Sequence, residues 1–169
     1  PEGSAAVIDD EGWLHTGDQA RIEDGFIYIT GRLKDVIVLT NGEKVSPADM
    51  EMAIAMDPLF DQVLLLGEGR PYLTALVVPN QDVWREVARV EYPDEPDIAV
   101  TDPRCADLLL RRIDAALRDF PGYAKVREVG VCEEPWTVAN GLLTPTMKPR
   151  RERIVEHYAA DIARLYARR

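Results

Sequence analysis

The sequence is poor in the residues that make metal centres and covalent staples. Its 169 residues include two cysteines and two histidines. Cys105 and Cys132 show no metal-type spacing, and neither histidine lies near them, so no zinc motif is encoded and no metal ligand is assigned. Two such thiols read as core or surface side chains and fit a reducing compartment, which points to the cytoplasm. No apolar run reaches the roughly 18 residues of a membrane span, and no signal-peptide pattern opens the chain. Repeats and low-complexity tracts are absent. Basic charge is also short: 20 Lys and Arg face 30 Asp and Glu, for a net charge of −10. The resulting field repels nucleic acid and anionic membrane surfaces in general. The shortage is uneven, because the segment from Lys148 to Arg169 is rich in arginine. Finally, there is no initiator methionine, and "PEGSAAVIDDEGWLHTGD" holds no element of full length. It reads as the inside of a longer chain, so the sequence is taken as a fragment.

What is present describes a small globular unit. The hydrophobic fraction of 46% supports a core, and the length suits one domain with a remnant of a second. "ARIEDGFIYITG" is two β-patterned runs around Asp24-Gly25, and "VIVLTNGEKVS" repeats the device with Asn41-Gly42. The charged stretch "GRLKD" between these hairpins marks a boundary. "SPADMEMAIAM" reads as a helix capped at Ser46, with Pro47 in its first turn and Met50, Ala53 and Ile54 on its buried face. "QVLLLGEG" and "YLTALVVP" are nearly all-apolar strands, and "NQDVWREVARV" a short helix. The Pro- and acid-rich "EYPDEPDIAVTDP" reads as a surface insertion. A helix from Asp102-Pro103 would line up Ala106, Leu109, Ile113, Leu117 and Phe120. "VREVGVCEE" is a third strand. A last helix from Pro149 carries the stripe Ile154, Tyr158, Ile162 and Tyr166. The class is α+β: a small mixed or antiparallel sheet of about three strands, flanked by helices and preceded by β-hairpins.

Three stretches could carry chemistry, and each has a plainer reading beside it. In "NGLLTPTMKPRR", Lys148 follows a Gly/Pro/Thr loop at the expected helix start, with Arg150, Arg151 and Arg153 in the first turn. Such a cluster is either solvated basic surface or an anion site at a helix N-terminus. In "GWLHTGD", Asp18 stands at a Thr-Gly-Asp corner, where an aspartate ordinarily forms a turn. His15 reads as structural, with no partner at a triad-like offset. Arg32 and Lys34 of "GRLKD" would otherwise be linker charges.

Taken in order, "GWLHTGD", "GRLKDVIVLTNGEKVSPADME" and "NGLLTPTMKPRR" closely resemble the C-terminal part of the acyl-adenylate-forming enzymes, which include acyl-CoA synthetases, luciferases and peptide-synthetase adenylation domains. The resemblance covers nearly the whole chain and is weakest across residues 84–120. Short- and medium-chain acyl-CoA synthetases typically carry Ser-Gly-Lys at the terminal lysine, whereas "NGLLTPTMK" is similar to the long-chain fatty acid–CoA ligases. The resemblance implies roles. Asp18 would hold the ribose hydroxyls of ATP, and Arg32 the ribose or neighbouring phosphate oxygens. Lys34 falls at the hinge of the swinging domain. Gly42 would line the path of the pantetheine arm of CoA. Lys148 would bridge the fatty carboxylate and the α-phosphate during adenylation, with Mg²⁺ carried on the ATP phosphates.

The same resemblance divides the chain. Residues 1–32 would be the trailing edge of a large N-terminal domain, and residues 33–169 the small mobile C-terminal domain, which partners that larger domain. The family's phosphate loop and acyl pocket precede this segment, so the fragment alone should be inactive. Transfer to a carrier-protein thiol instead of CoA, or a free-standing binding module, stand as alternatives. Peripheral association of the parent with a membrane is left open.

Overall fold

Two β-hairpins lead into the fold. In this computed structural model, which describes residues 7–167, β1 (Asp18–Glu23) and β2 (Phe26–Arg32) pair antiparallel. Asp24 and Gly25 turn between them with φ of 51° and 81°, the left-handed pair that matches the twist of the strands. The hairpin of β3 (Ile37–Val38) and β4 (Lys44–Val45) closes differently from the two-residue Asn-Gly form. Gly42 N–H donates to Leu39 O and Leu39 N–H to Glu43 O, and within this turn only Gly42 has positive φ. Asn41 instead accepts the Glu43 N–H on its side-chain oxygen, so the loop has three residues rather than two.

The expected mixed sheet follows, in the order β5 (Phe60–Leu66), β6 (Leu73–Pro79), β7 (Val126–Val131). β5 runs antiparallel to β6, and β7 parallel to it. A parallel neighbour needs a long crossover, supplied by α2 (Gln81–Glu91) and α3 (Ala106–Ala116). All of β6 is buried, and its side chains alternate between two cores. Val63, Leu65, Ala75 and Val77 join Met50 and Ile54 of α1 (Pro47–Ala55), Trp84 of α2, and Leu109 and Ile113 of α3. Leu64, Leu66, Leu76 and Val78 join Trp136, Leu142 and Leu143, with Ile154 of α4 (Arg151–His157) and Ile162 and Leu165 of α5 (Ala159–Ala167). Cover on both faces accounts for the uninterrupted apolar runs. Gly130 of β7 lets α5 close on the sheet: a Cβ there would lie 2.8 Å from Leu76 Cδ2 and 3.1 Å from Leu165 Cδ1.

Three expectations need correction. The helix from Asp102-Pro103 is a 3₁₀ turn (Pro103–Cys105) followed by α3, which ends at Ala116 and leaves Phe120 outside. The last helix is two helices. α4 begins at Arg151 rather than Pro149, and the chain breaks at Tyr158 (φ −100°, ψ 21°) before α5. Ile154 and Ile162 reach the same core across the break, so the apolar stripe conceals it. The acidic insertion is anchored, because Ile98 and Val100 are buried and Trp84 Nε1 donates to Ile98 O at 2.9 Å. The hairpin β1/β2, by contrast, holds none of the core. Ile22, Phe26, Ile27 and Ile29 are exposed, and among the described residues burial begins at Ile37. No helix among the described residues is long and apolar enough to cross a membrane.

Candidate functional site

Asp18 and Arg32 meet at the open end of the first hairpin because of a bulge. The two-residue turn at Asp24-Gly25 would by itself set Asp18 opposite Gly31. A register shift between Gln19 and Ala20 moves the partner to Arg32. Arg32 Nε then stands 3.5 Å from Asp18 Oδ1, with Asp18 partly shielded and Arg32 open. Asp18 N–H donates to Thr16 Oγ1, and Leu33 N–H to Gly17 O, which ties the Thr-Gly-Asp corner to the strand end. A carboxylate and a guanidinium side by side can accept hydroxyl protons and face phosphate oxygens at once. His15 is spent locally: its Nε2 lies 2.9 Å from Asp9 Oδ2. The Trp13 N–H and then His15 hold the Asp9 carboxyl below its ordinary value.

Lys34 occupies a single 3₁₀ turn, Leu33–Asp35, between extended Arg32 (φ −112°, ψ 140°) and Val36 (φ −62°, ψ 123°). Nothing in the turn is buried. Lys34 is exposed, and it borders a cleft of about 410 Å³ with Asp35, Glu68, Arg70, Arg151 and Tyr166. Gly42 has φ of 84°, and a Cβ there would meet nothing within 4 Å. Turn conformation, and not a close neighbour, calls for glycine at that position.

Lys148 is presented by a third, smaller hairpin that the sequence did not disclose. Leu143 and Pro149 form an antiparallel bridge. Thr144 N–H donates to Lys148 O at 2.9 Å, and Arg150 N–H to Leu142 O at 2.8 Å. Met147 takes φ of 62°, a left-handed conformation that a long side chain adopts only at a cost. Lys148 N–H donates to Thr144 Oγ1 at 3.1 Å. The approach to this hairpin is fixed as well. Gln62 of β5 exchanges two bonds with the Trp136 backbone, at 2.9 and 2.7 Å. Asn140 bonds to Pro135 O and to the Thr137 N–H. Leu142 and Leu143 are buried, while Lys148 is exposed. Among the described residues no hydrogen bond or ion pair joins the Lys148 side chain to Asp18, Arg32 or Lys34. A larger groove of about 730 Å³ runs along β7 and includes none of these residues.

The helix-start anion site is not formed. Lys148 lies before α4 on the hairpin's returning arm, and Arg151 is engaged elsewhere: it donates to Glu51 Oε1 and to Leu65 O, both at 2.6 Å. Of the three arginines expected to form it, Arg150 and Arg153 are exposed. Glu51 is the residue that sequence reasoning passed over. Its signal was present, since Glu51 lies between Met50 and Ile54 on the buried side of α1 and is three residues from Ile54. A carboxylate on that face needs a partner.

Comparison with known proteins agrees with this architecture. The model of the AMP-binding enzyme C-terminal domain matches residues 34–169. A long-chain-fatty-acid–CoA ligase of Mycobacterium tuberculosis is 33% identical over 92% of this chain and 27% of its own length. A chloroplastic long-chain-fatty-acid–[acyl-carrier-protein] ligase of Arabidopsis thaliana is 32% identical over 99% of this chain and 23% of its own. Among solved structures, the A domain of a carboxylic acid reductase from Segniliparus rugosus, in complex with AMP and a co-purified carboxylic acid, superposes with a TM-score of 0.83. It is 27% identical and is matched over 99% of this chain and 25% of that one. The chain thus spans about a quarter of the length of these relatives. It belongs to the family of AMP-binding enzyme C-terminal domains.

Proposed function

We propose that the chain is the C-terminal segment of a cytoplasmic, AMP-forming long-chain fatty acid–CoA ligase. Residues 1–32 are the trailing edge of its large domain, and residues 33–169 its small mobile domain. The observation that carries this reading is Lys148, an exposed ammonium at the end of a hairpin whose approach and base are braced to the sheet. A lysine held out in this way serves a partner surface beyond the described residues. The hairpin β1/β2 supports the division: its exposed isoleucines and phenylalanine need cover, which the preceding part of a longer chain supplies.

In the first half-reaction a fatty carboxylate attacks the α-phosphate of ATP and displaces pyrophosphate to give acyl-AMP, and both reacting groups are anionic. Lys148, brought between them, lowers that repulsion in a poorly hydrated site. Asp18 accepts the ribose hydroxyls, and Arg32 beside it faces ribose or phosphate oxygens. Mg²⁺ would be carried on the ATP phosphates. The second half-reaction, in which the thiol attacks the acyl carbonyl of the acyl-adenylate and AMP leaves, needs room where the lysine stood. A turn at Lys34 re-orients the domain to give it, and the Gly42 hairpin then lines the pantetheine path. An acyl-carrier-protein thiol is the alternative acceptor, favoured by the Arabidopsis relative.

In the full-length enzyme, Lys148→Ala should slow ATP–pyrophosphate exchange by roughly 10²–10³. Thioester formation from pre-made acyl-adenylate should stay within a few-fold of wild type. Surviving exchange, or an equal fall in both half-reactions, overturns the proposal.

A further inference from the structure

We infer that Glu51 and Arg151 are positioning residues: their pair locks the Lys148 hairpin to α1 and β5, so that the lysine and the hinge turn move as one rigid body. This rests on the reading of Lys148 as the adenylation lysine.

The pair fills a gap at the edge of the sheet. Among the described residues β5 has a strand, β6, on one side only, so backbone groups along its outer edge need partners. At Leu65, Glu51 Oε1 accepts the N–H at 2.7 Å and Arg151 Nη1 donates to the carbonyl at 2.6 Å. Arg151 Nη2 donates to the same Glu51 oxygen at 2.6 Å. Two side chains from distant parts of the chain thus stand where an extra strand would pair. They tie three elements, α1, β5 and α4, at one point.

That point lies between the two parts that must be coordinated. Arg151 opens α4 directly after Arg150, whose N–H closes the base of the Lys148 hairpin on Leu142. On the other side, Arg151 lines the same cleft as Lys34 and Asp35 of the hinge turn. A rotation at the hinge can place Lys148 accurately only if nothing yields between them, and this joint removes the slack. Misplacement by about 1 Å costs an enzyme on the order of 10²-fold in rate.

Stability alone does not account for the pair. Glu51 and Arg151 side chains are 18% and 27% exposed. Burial pushes the Glu51 carboxyl above its ordinary value despite Arg151, and the Asp35 charge adds to that. Well-packed apolar residues often replace such a buried pair with no loss of stability, whereas removing one partner strands a charge.

The experiment measures ATP–pyrophosphate exchange, acyl-adenylate-dependent thioester formation and urea unfolding in the full-length enzyme. Three variants are compared with wild type: Arg151→Lys, the double variant Glu51→Met/Arg151→Met, and Lys148→Ala. Arg151→Lys loses the two-pronged grip and should cut exchange kcat by about 10- to 100-fold. KM for ATP and the thioester step should stay within a few-fold. The double variant strands no charge but leaves the Leu65 N–H and carbonyl without these partners, so its urea midpoint should fall modestly while exchange, assayed well below that midpoint, stays slow. Wild-type exchange in a variant whose midpoint has fallen would make the pair a structural strut and overturn the inference. If Lys148→Ala abolishes exchange while the other variants retain it, positioning alone fails. If Lys148→Ala retains exchange, the underlying reading of the lysine fails and takes the inference with it.

Discussion

Asp57, at the end of α1, accepts two bonds from Arg112 of α3, both at 2.7 Å, and a third from the Leu59 N–H at 3.0 Å. Burial alone would raise this carboxyl, but the Arg112 and Leu59 bonds outweigh it and the net shift is downward. An unfolded chain therefore binds the proton more readily than the folded one. The pair contributes fully above the ordinary value of 3.8 and is lost as pH falls through the lower folded value. Asp57→Asn should cost about 1 kcal/mol at pH 7, in keeping with a partly shielded two-pronged ion pair. The gap in urea midpoint between wild type and variant should close as pH drops below that ordinary value; a gap independent of pH would mean the charge does not matter. At this scale the sequence was only partly readable. It identified Asp18 and Arg32 singly, but the bulge that makes them neighbours lies in strand register and leaves no mark on composition. The Glu51–Arg151 pair joins positions 100 residues apart, a separation at which local pattern carries no information.

Among the elements, β7 and α5 show how closely the layers fit. Gly130 is the point of contact, and its missing Cβ leaves room for Leu76 and Leu165 from either side. Gly130→Val should force these buried side chains apart and cost about 1–3 kcal/mol, read as a lower urea midpoint. Restoring the midpoint by adding Leu165→Ala would confirm the clash, whereas no loss in the single variant would refute it. Elements with a strong period were legible: β5 and β6 from their apolar runs, α1 from Ser46-Pro47, and the first hairpin from Asp24-Gly25. Less legible were places where tertiary contact overrides local pattern. Tyr158 interrupts a helical stripe that continues on both sides. The Leu143–Pro149 bridge pairs two short segments with no alternation to announce it.

At the scale of the molecule, the core and the densest run of exposed apolar side chains lie in different parts of the chain. Every buried apolar side chain among the described residues falls at or beyond Ile37. Removing residues 1–32 should therefore leave the thermal midpoint within about 3 °C, under about 1 kcal/mol for a chain of this size. Binding of a hydrophobic dye should fall with the loss of Ile22, Phe26, Ile27 and Ile29. A larger drop in midpoint would move the domain boundary toward the N-terminus. The central sheet has a separate core on each face. The Lys148 hairpin, α4 and α5 belong to one core, while the β3/β4 hairpin and α1 to α3 belong to the other. These halves touch through β5, β6 and Gly130 of β7, and their ties include Glu51–Arg151, Gln62–Trp136 and the Tyr166 hydroxyl, which meets Thr74 Oγ1 and the Tyr72 carbonyl. A recombinant crossing over near Cys132 would thus inherit the first core from one parent and most of the second from the other. The positions to be matched include Leu64, Leu66, Leu76, Val78, Gly130 and those ties, which makes the lysine-bearing last quarter, roughly, of the chain a transplantable part.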